Sequence, residues 1–113
     1  MTTNHSLQYR QGDVLLRAVD ASSASVSPIP REEGRIVLAH GEATGHSHAI
    51  ADPRAELVVE RGTNRRLLLV RGDAPVDLVH EEHATLRIAP GIYEVLGQRE
   101  FTPQRRRWSP VQD

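Results

Sequence analysis

Residues 55–71 read Ala-Glu-Leu-Val-Val-Glu-Arg-Gly-Thr-Asn-Arg-Arg-Leu-Leu-Leu-Val-Arg. Two aliphatic runs, 55–60 and 66–71, flank five residues that include glycine, threonine and asparagine, which are typical of turns. This pattern predicts a β-hairpin. Two observations indicate the fold class. One is this hairpin, and the other is that no long segment of the chain has a convincing 3.6-residue hydrophobic period, as a helix would. We therefore predict an all-β protein.

Other short apolar runs lie at near-regular intervals on both sides of the hairpin and predict further strands. These runs cover residues 13–19, 34–40, 76–80, 85–88 and 91–98. The segment that begins at His46 is either the hairpin partner of 34–40 or its continuation. About seven or eight short strands of this kind predict a small barrel or a two-sheet sandwich.

The chain of 113 residues is predicted to form a single domain, because this length supports one hydrophobic core. We predict a flexible N-terminal tail over residues 1–8, the β domain over 9–102 and an irregular basic tail over 103–113. Within the domain, residues 20–33 contain four serines and two prolines without a hydrophobic period. That segment is predicted to be a long surface loop.

The composition excludes several kinds of site. Cysteine is absent, so any metal must be bound by nitrogen and oxygen ligands. Residues 1–8 are polar and no stretch approaches the ~20 apolar residues that span a bilayer, so we predict a cytoplasmic protein without membrane contact. All fourteen cationic side chains are arginine, yet the formal net charge is -1. Nucleic-acid binding would need several basic residues interleaved with aromatic ones, and the chain has a single such cluster, 105–107 with Trp108. We therefore predict that this segment is a solvated or partner-docking tail.

Four of the six histidines lie in two short clusters, and these clusters are the strongest functional signal in the sequence. On an extended strand, His46 and His48 point to the same face. In the second cluster, His80 continues the alternating row of Val76 and Leu78, which predicts a core-facing position at the end of a strand.

Such a set of imidazoles predicts a divalent transition metal, namely zinc, iron, manganese or nickel. The predicted ligands are His46, His48 and His80, with His83 or Glu82 assisting. The other interpretation is a metal-free polar network, in which the imidazoles bond to backbone carbonyls and acidic side chains. No further cofactor is predicted.

Glu81 and Glu82 are candidates for acid–base work beside such a site. Adjacent residues of a strand face opposite ways, so at most one of the two is expected to point into the site. Glu82 is the candidate for a catalytic role. The sequence identifies neither a substrate nor a reaction, so whether the protein is an enzyme stays open.

The histidine spacing, together with the later Pro90-Gly91, resembles a reduced cupin pattern. In cupins, a first motif supplies two histidines and a glutamate to a metal, and a second motif supplies one more histidine. The resemblance implies that His46 and His48 match the first pair and that His80 or His83 matches the later histidine. The glutamate of the first motif has no counterpart in register.

The whole chain also resembles a group of small uncharacterised bacterial proteins. The shared motifs are Gly12-Asp13-Val14-Leu15, Gly41-Glu42 with Thr44-Gly45-His46 and His48, His80-Glu81-Glu82-His83, and Pro90-Gly91-x-Tyr93 followed by Gln98-Arg99-Glu100. This resemblance covers most of the chain and implies one compact unit without a particular reaction.

Two functions of different classes follow from the sequence. The first is a small cupin-like domain that binds one divalent metal through its clustered histidines. The second is a non-enzymatic, metal-free module that forms a homo-oligomer or binds an unknown protein partner, with structural histidines. The second is motivated by the long 20–33 loop and by Phe101 and Trp108, which a domain of this size is not expected to bury by itself.

Overall fold

A computed structural model of the protein describes residues 7–20, 25–41 and 45–97. These residues form ten β-strands, which confirms the all-β class. In chain order the strands are β1 (Gln8–Gln11), β2 (Val14–Ala18), β3 (Val26–Pro28), β4 (Ile36–His40), β5 (Ser47–Ile50), β6 (Ala55–Glu60), β7 (Arg66–Val70), β8 (Val76–Leu78), β9 (Leu86–Ile88) and β10 (Gly91–Gly97). The described ranges contain no helix, and so none with the length and apolar character to cross a membrane.

Six of the strands form one antiparallel sheet in the order β1-β2-β10-β7-β6-β3. Near its middle is the hairpin predicted from residues 55–71, with Leu57 paired to Leu68 and Val58 to Leu67. Its turn is closed by two residues with positive φ, Gly62 at 91° and Asn64 at 62°. Glycine and asparagine adopt this conformation more easily than other residues, so the composition of the turn explains the hairpin.

The core takes side chains from all three sheets. Its most deeply buried members include Leu16, Leu38, Ile50, Leu68, Leu78, Ile88 and Tyr93. Burying one aliphatic side chain of this size contributes about 1.5–3 kcal/mol. On β10, Tyr93 and Val95 point into this core, whereas Ile92 and Leu96 lie on the opposite, half-buried face, as the alternation predicts.

Two strands were not expected from the sequence, which raises the count from the predicted seven or eight to ten. β1 has the polar sequence Gln-Tyr-Arg-Gln and is stabilised by pairing with β2. β3 lies inside the predicted 20–33 loop, where it pairs with β6 at the edge of the sheet. Neither segment has an apolar pattern of its own, so the sequence did not indicate a strand. Each forms an edge strand because it hydrogen-bonds to a neighbouring strand of the sheet.

The sheets and the ends of the described chain bear on the predicted architecture and tails. The strands are arranged in one six-stranded and two two-stranded open sheets. Of the predicted N-terminal tail, Gln8 belongs to β1, and residues 1–6 lie outside the described residues. Residues 98–113 also lie outside them, including the basic tail with Phe101 and Trp108.

The two small sheets are hairpins, β4–β5 and β8–β9. The first resolves the alternative left open by the sequence, because Ser47 and His48 pair antiparallel with His40 and Ala39. At its turn, the Gly41 amide donates to the His46 carbonyl over 2.8 Å. A Cβ on Gly41 would lie 2.9 Å from His46 Cβ, so this close approach of the two strands requires glycine.

Candidate functional site

Among the described residues, one antiparallel backbone bridge, Ala49–Val79, links the two small hairpins and brings the two histidine motifs together. The Ala49 amide donates to the Val79 carbonyl over 3.0 Å, and the Val79 amide donates to the Ala49 carbonyl over 2.9 Å. If this antiparallel register is continued by one residue, His48 comes to lie opposite His80. Their ring centroids are indeed 4.2 Å apart.

The same register explains the next contact along the two segments. Ser47 comes opposite Glu81, and the Ser47 amide donates to Glu81 Oε1 over 2.9 Å. One step further, His46 comes opposite Glu82, whose Oε2 is 3.8 Å from His46 Nδ1. The positions of both acidic residues therefore follow from the Ala49–Val79 bridge.

All four predicted histidine ligands converge into one group, which we call the histidine cluster: His46, His48, His80 and His83. The His80 ring centroid lies 5.7 Å from that of His46 and 4.6 Å from that of His83, and the His48 and His83 rings stack at 6.0 Å. The cluster extends from the core to the surface, since His48 is 5% exposed whereas His83 is exposed. His40 instead forms an exposed pair with Glu32 at 3.2 Å, and His5 lies outside the described residues.

The buried histidine of the cluster is held by a glutamine that the sequence had not indicated. His48 Nδ1 is 2.8 Å from Gln11 Oε1. The Gln11 amide nitrogen donates to the carbonyl oxygens of Leu78, over 2.9 Å, and Ala84, over 3.0 Å. These two donations fix the orientation of the amide, so Oε1 is the acceptor and His48 Nδ1 carries the proton. In the neutral ring, the lone pair is then on Nε2.

His80 holds the opposite tautomer. The Glu82 amide donates to His80 Nδ1 over 3.0 Å, so the proton of a neutral His80 ring lies on Nε2. The two central imidazoles of the cluster thus present different nitrogens to their surroundings. His48 offers a free ring nitrogen as it stands, whereas His80 offers Nδ1 only when the bond to Glu82 opens.

The turn between β1 and β2 packs directly on the histidine cluster. Gly12 has a φ of +57°, and a Cβ built there would lie 2.7 Å from His83 Nε2 and 3.3 Å from His48 Cε1. Only glycine provides both this conformation and this space. The sequence predicts the Gly12-Asp13 pair as the turn that opens a strand. The contact of Gly12 with His83 and His48 depends on tertiary structure and could not be predicted.

The electrostatics of the site keep its deepest histidine neutral. Burial, followed by the neighbouring His80 and His83, lowers the pKa of His48 from 6.5 to about 4, although Asp13 and Glu81 act in the other direction. The pKa of Glu81 is also lowered, chiefly because its carboxylate accepts the Ser47 amide. At neutral pH the site therefore combines a neutral buried imidazole with a carboxylate at its edge.

The carboxylate that joins the imidazoles is Glu81. Its ligand oxygen and one ring nitrogen each of His46 and His80 all lie within 4.8 Å of one another, an arrangement that could hold a metal ion. The other two predicted ligands, His48 and His83, do not belong to this group of atoms. Glu82, the sequence-predicted catalytic candidate, has a side chain that is 69% exposed. The sequence pattern could not separate the two glutamates; the register of the bridge places Glu81 opposite Ser47.

Comparison with known families gives a membership without a function. Residues 10–98 match the model of a family described as "Domain of unknown function (DUF8820)". The chain belongs to this family. The matched segment contains Gln11, Gly12 and the whole histidine cluster. No curated protein and no solved structure matches the chain, so the function must be argued from the geometry of the site.

Proposed function

We propose that this protein binds one divalent transition metal at the histidine cluster. The observation that carries the proposal is the convergence of ligand atoms from His46, His80 and Glu81 within 4.8 Å, with the His48 ring centroid 4.2 Å from that of His80. Ligands about 2 Å from a common ion lie at most about 4 Å apart, so the group needs only a small contraction around a metal. Imidazole nitrogens and a carboxylate oxygen suit zinc, iron, manganese or nickel.

The charge state of the cluster supports a cation as its occupant. Protons and metal ions compete for the same ring nitrogens, and a lowered pKa removes that competition at His48. Glu81 and Glu82 at the edge supply negative charge toward an incoming cation. In the tautomer held by Gln11, the His48 Nε2 lone pair faces no described donor, and a metal would use it.

The resemblance to cupins extends the proposal to the fold and to chemistry. We propose a cupin-like arrangement in which His46 and His48 form the first pair and His80 or His83 supplies the later ligand. Three or four protein ligands would leave room at the ion for water or a small substrate. Glu82, exposed beside His46, is the candidate for proton transfer in such a site.

Metal analysis tests the proposal directly. Untagged protein is incubated in turn with zinc, nickel, manganese or ferrous iron, passed through a desalting column and analysed for metal per chain. We expect about one ion per chain for at least one metal, and its loss in a His46→Ala, His48→Ala double variant. The matched control is His40→Ala, which removes an exposed histidine outside the cluster. Near-zero metal for all four ions would contradict the proposal, as would an equal loss in the control.

A second candidate function is a metal-free module that assembles with itself or with a protein partner. It is supported by four half-buried aliphatic side chains on the face of the six-stranded sheet opposite the core, namely Leu15, Leu69, Ile92 and Leu96. Partly exposed apolar surface of this kind is typical of interaction sites. Light scattering separates the two candidates: a metal-loaded monomer favours the first, and a metal-free closed oligomer favours the second.

A further inference from the structure

We infer that Gln11 is a positioning residue that holds His48 with its proton on Nδ1 and its lone pair on Nε2, ready for a ligand. The use of that lone pair for metal rests on the proposed function above. Gln11 and His48 are 3% and 5% exposed, so water has little access to replace their 2.8 Å hydrogen bond. A neutral imidazole that lacks such a partner exchanges between its two tautomers.

The tautomer is fixed because Gln11 cannot turn its amide over. A flipped amide would direct its oxygen toward the carbonyls of Leu78 and Ala84, which now accept from its nitrogen. Two buried carbonyl oxygens would then lose their donors and face a third oxygen. In the observed orientation, a His48 ring with its lone pair on Nδ1 would instead direct that lone pair at Oε1.

The same side chain also sets the loop that carries the second motif. Leu78 ends β8, and Ala84 follows His83 directly, so the two carbonyls bound by Gln11 bracket the segment 79–83. One amide therefore orients His48 and fixes both ends of the segment that supplies His80 and His83. Metal sites commonly orient a ligating histidine through a hydrogen bond to its second ring nitrogen, and loss of such a partner costs 10–100-fold in metal affinity.

The first test reads the tautomer of His48 without any metal. Nitrogen-15 imidazole spectra of the full chain are recorded at pH 7.5 in chelator. We expect a single Nδ1–H form of His48 in the wild type and a shift toward the Nε2–H form in Gln11→Met. Gln8→Met, at the exposed start of the same strand, is the matched control and should leave the spectrum unchanged. A wild-type His48 protonated on Nε2, or an unchanged tautomer in Gln11→Met, would overturn the inference.

The second test separates the tautomer from the loop, and uses zinc titration against a coloured chelator. Gln11→Glu keeps an acceptor for His48 Nδ1–H but loses both donations to Leu78 and Ala84. We expect zinc affinity to fall about 10–100-fold in Gln11→Met and to be partly restored in Gln11→Glu, with the Nδ1–H form retained. Equal losses in the two variants would show that Gln11 acts only through the loop. If the wild type bound none of zinc, nickel, manganese or ferrous iron, the proposed function would fail, while the tautomer spectra would still decide the role of Gln11. If it bound one of the others but not zinc, the titration is run with that metal.

Discussion

Two clusters of polar side chains in this protein differ in how their buried polar groups are paired. The first, which we call the carboxylate–guanidinium network, joins Glu60, Arg65, Glu94 and Arg17. Arg65 Nε donates to Glu60 Oε1 over 2.9 Å, and Arg17 Nη2 donates to Glu94 Oε1 over 2.7 Å. Thr63 adds a hydroxyl bond of 2.6 Å to Glu60, which is 2% exposed. Each buried carboxylate of this network thus has its own cation.

The histidine cluster lacks such internal compensation. His48 has a neutral partner, Gln11, and its other neighbours in the cluster are imidazoles that disfavour its protonation. Between His46 and His48, Ser47 Oγ is the one buried side-chain polar atom of the described residues without a hydrogen-bond partner. The carboxylate–guanidinium network thus compensates its buried charges internally, whereas the histidine cluster has an unpartnered hydroxyl beside it and a buried imidazole with a neutral partner.

The largest effect should come from acid, because the histidine cluster holds a buried neutral base, His48. The folded pKa of His48 is about 4 against 6.5 unfolded, so the unfolded chain binds more protons between these values. The free energy of unfolding of metal-free protein should therefore fall by about 3 kcal/mol as pH drops from 7 to 4. Urea denaturation in chelator measures this fall. In His48→Asn, whose amide can replace the Nδ1–H donor, the fall should be smaller by that amount, and parallel pH curves would contradict the prediction.

The next effect tests whether the carboxylate–guanidinium network needs the Arg65 guanidinium to stabilise the folded protein. Arg65→Met removes the guanidinium that donates to the buried Glu60 carboxylate, which should lower the free energy of unfolding by about 2 kcal/mol. That is less than the ~3–5 kcal/mol typical of fully buried pairs, because the Arg65 side chain is 34% exposed.

Urea denaturation at pH 7.5 measures the loss in Arg65→Met, and Arg61→Met in the same turn is the control. Arg61 contacts only the Ser27 hydroxyl through its side chain among the described bonds, at 3.4 Å, so its replacement should change stability by less than about 0.5 kcal/mol. Metal binding should be the same in both variants. A stability loss that appeared only together with loss of metal would mean that the two clusters are coupled.

The smallest effect distinguishes backbone strain from contact with the histidine cluster. Gly12→Ala and Gly34→Ala each place a side chain at positive φ, +57° and +83°, and the backbone strain alone should cost about 1 kcal/mol in each. At Gly34 no described atom lies within 4 Å of the new Cβ, whereas at Gly12 the new Cβ meets His83 and His48. Only Gly12→Ala should therefore shift the imidazole signals and weaken metal binding. Identical spectra for the two variants would remove Gly12 from the site.

Local patterns predicted the parts of the fold whose causes are local. The hairpin of 55–71 and the alternation along β10 followed from short runs and one turn, and the shared face of His46 and His48 follows from strand geometry. The edge strands β1 and β3 could not be predicted, because their order comes from pairing rather than from their own residues.

The candidate site could be predicted only as two separate motifs. Gln11 reaches the Leu78 carbonyl across 67 positions of sequence, and no periodicity indicates a contact of that range. In the described residues, the two hairpins share one backbone bridge, Ala49 to Val79, and a single bridge produces no repeated pattern in the sequence. For the same reason the sequence could not choose between Glu81 and Glu82.

This bridge also has a consequence for the order of events in folding. The hairpins close over short loops. Gln11, His48 and His80 are far apart in the chain. Contacts between such distant residues cost more loop-closure entropy and are expected to form late in folding. We therefore expect that a metal held by groups so far apart in the chain would not nucleate folding. Interactions absent from the transition state slow unfolding and leave the folding rate unchanged. A bound ion would therefore lengthen the lifetime of the folded protein without hastening its formation.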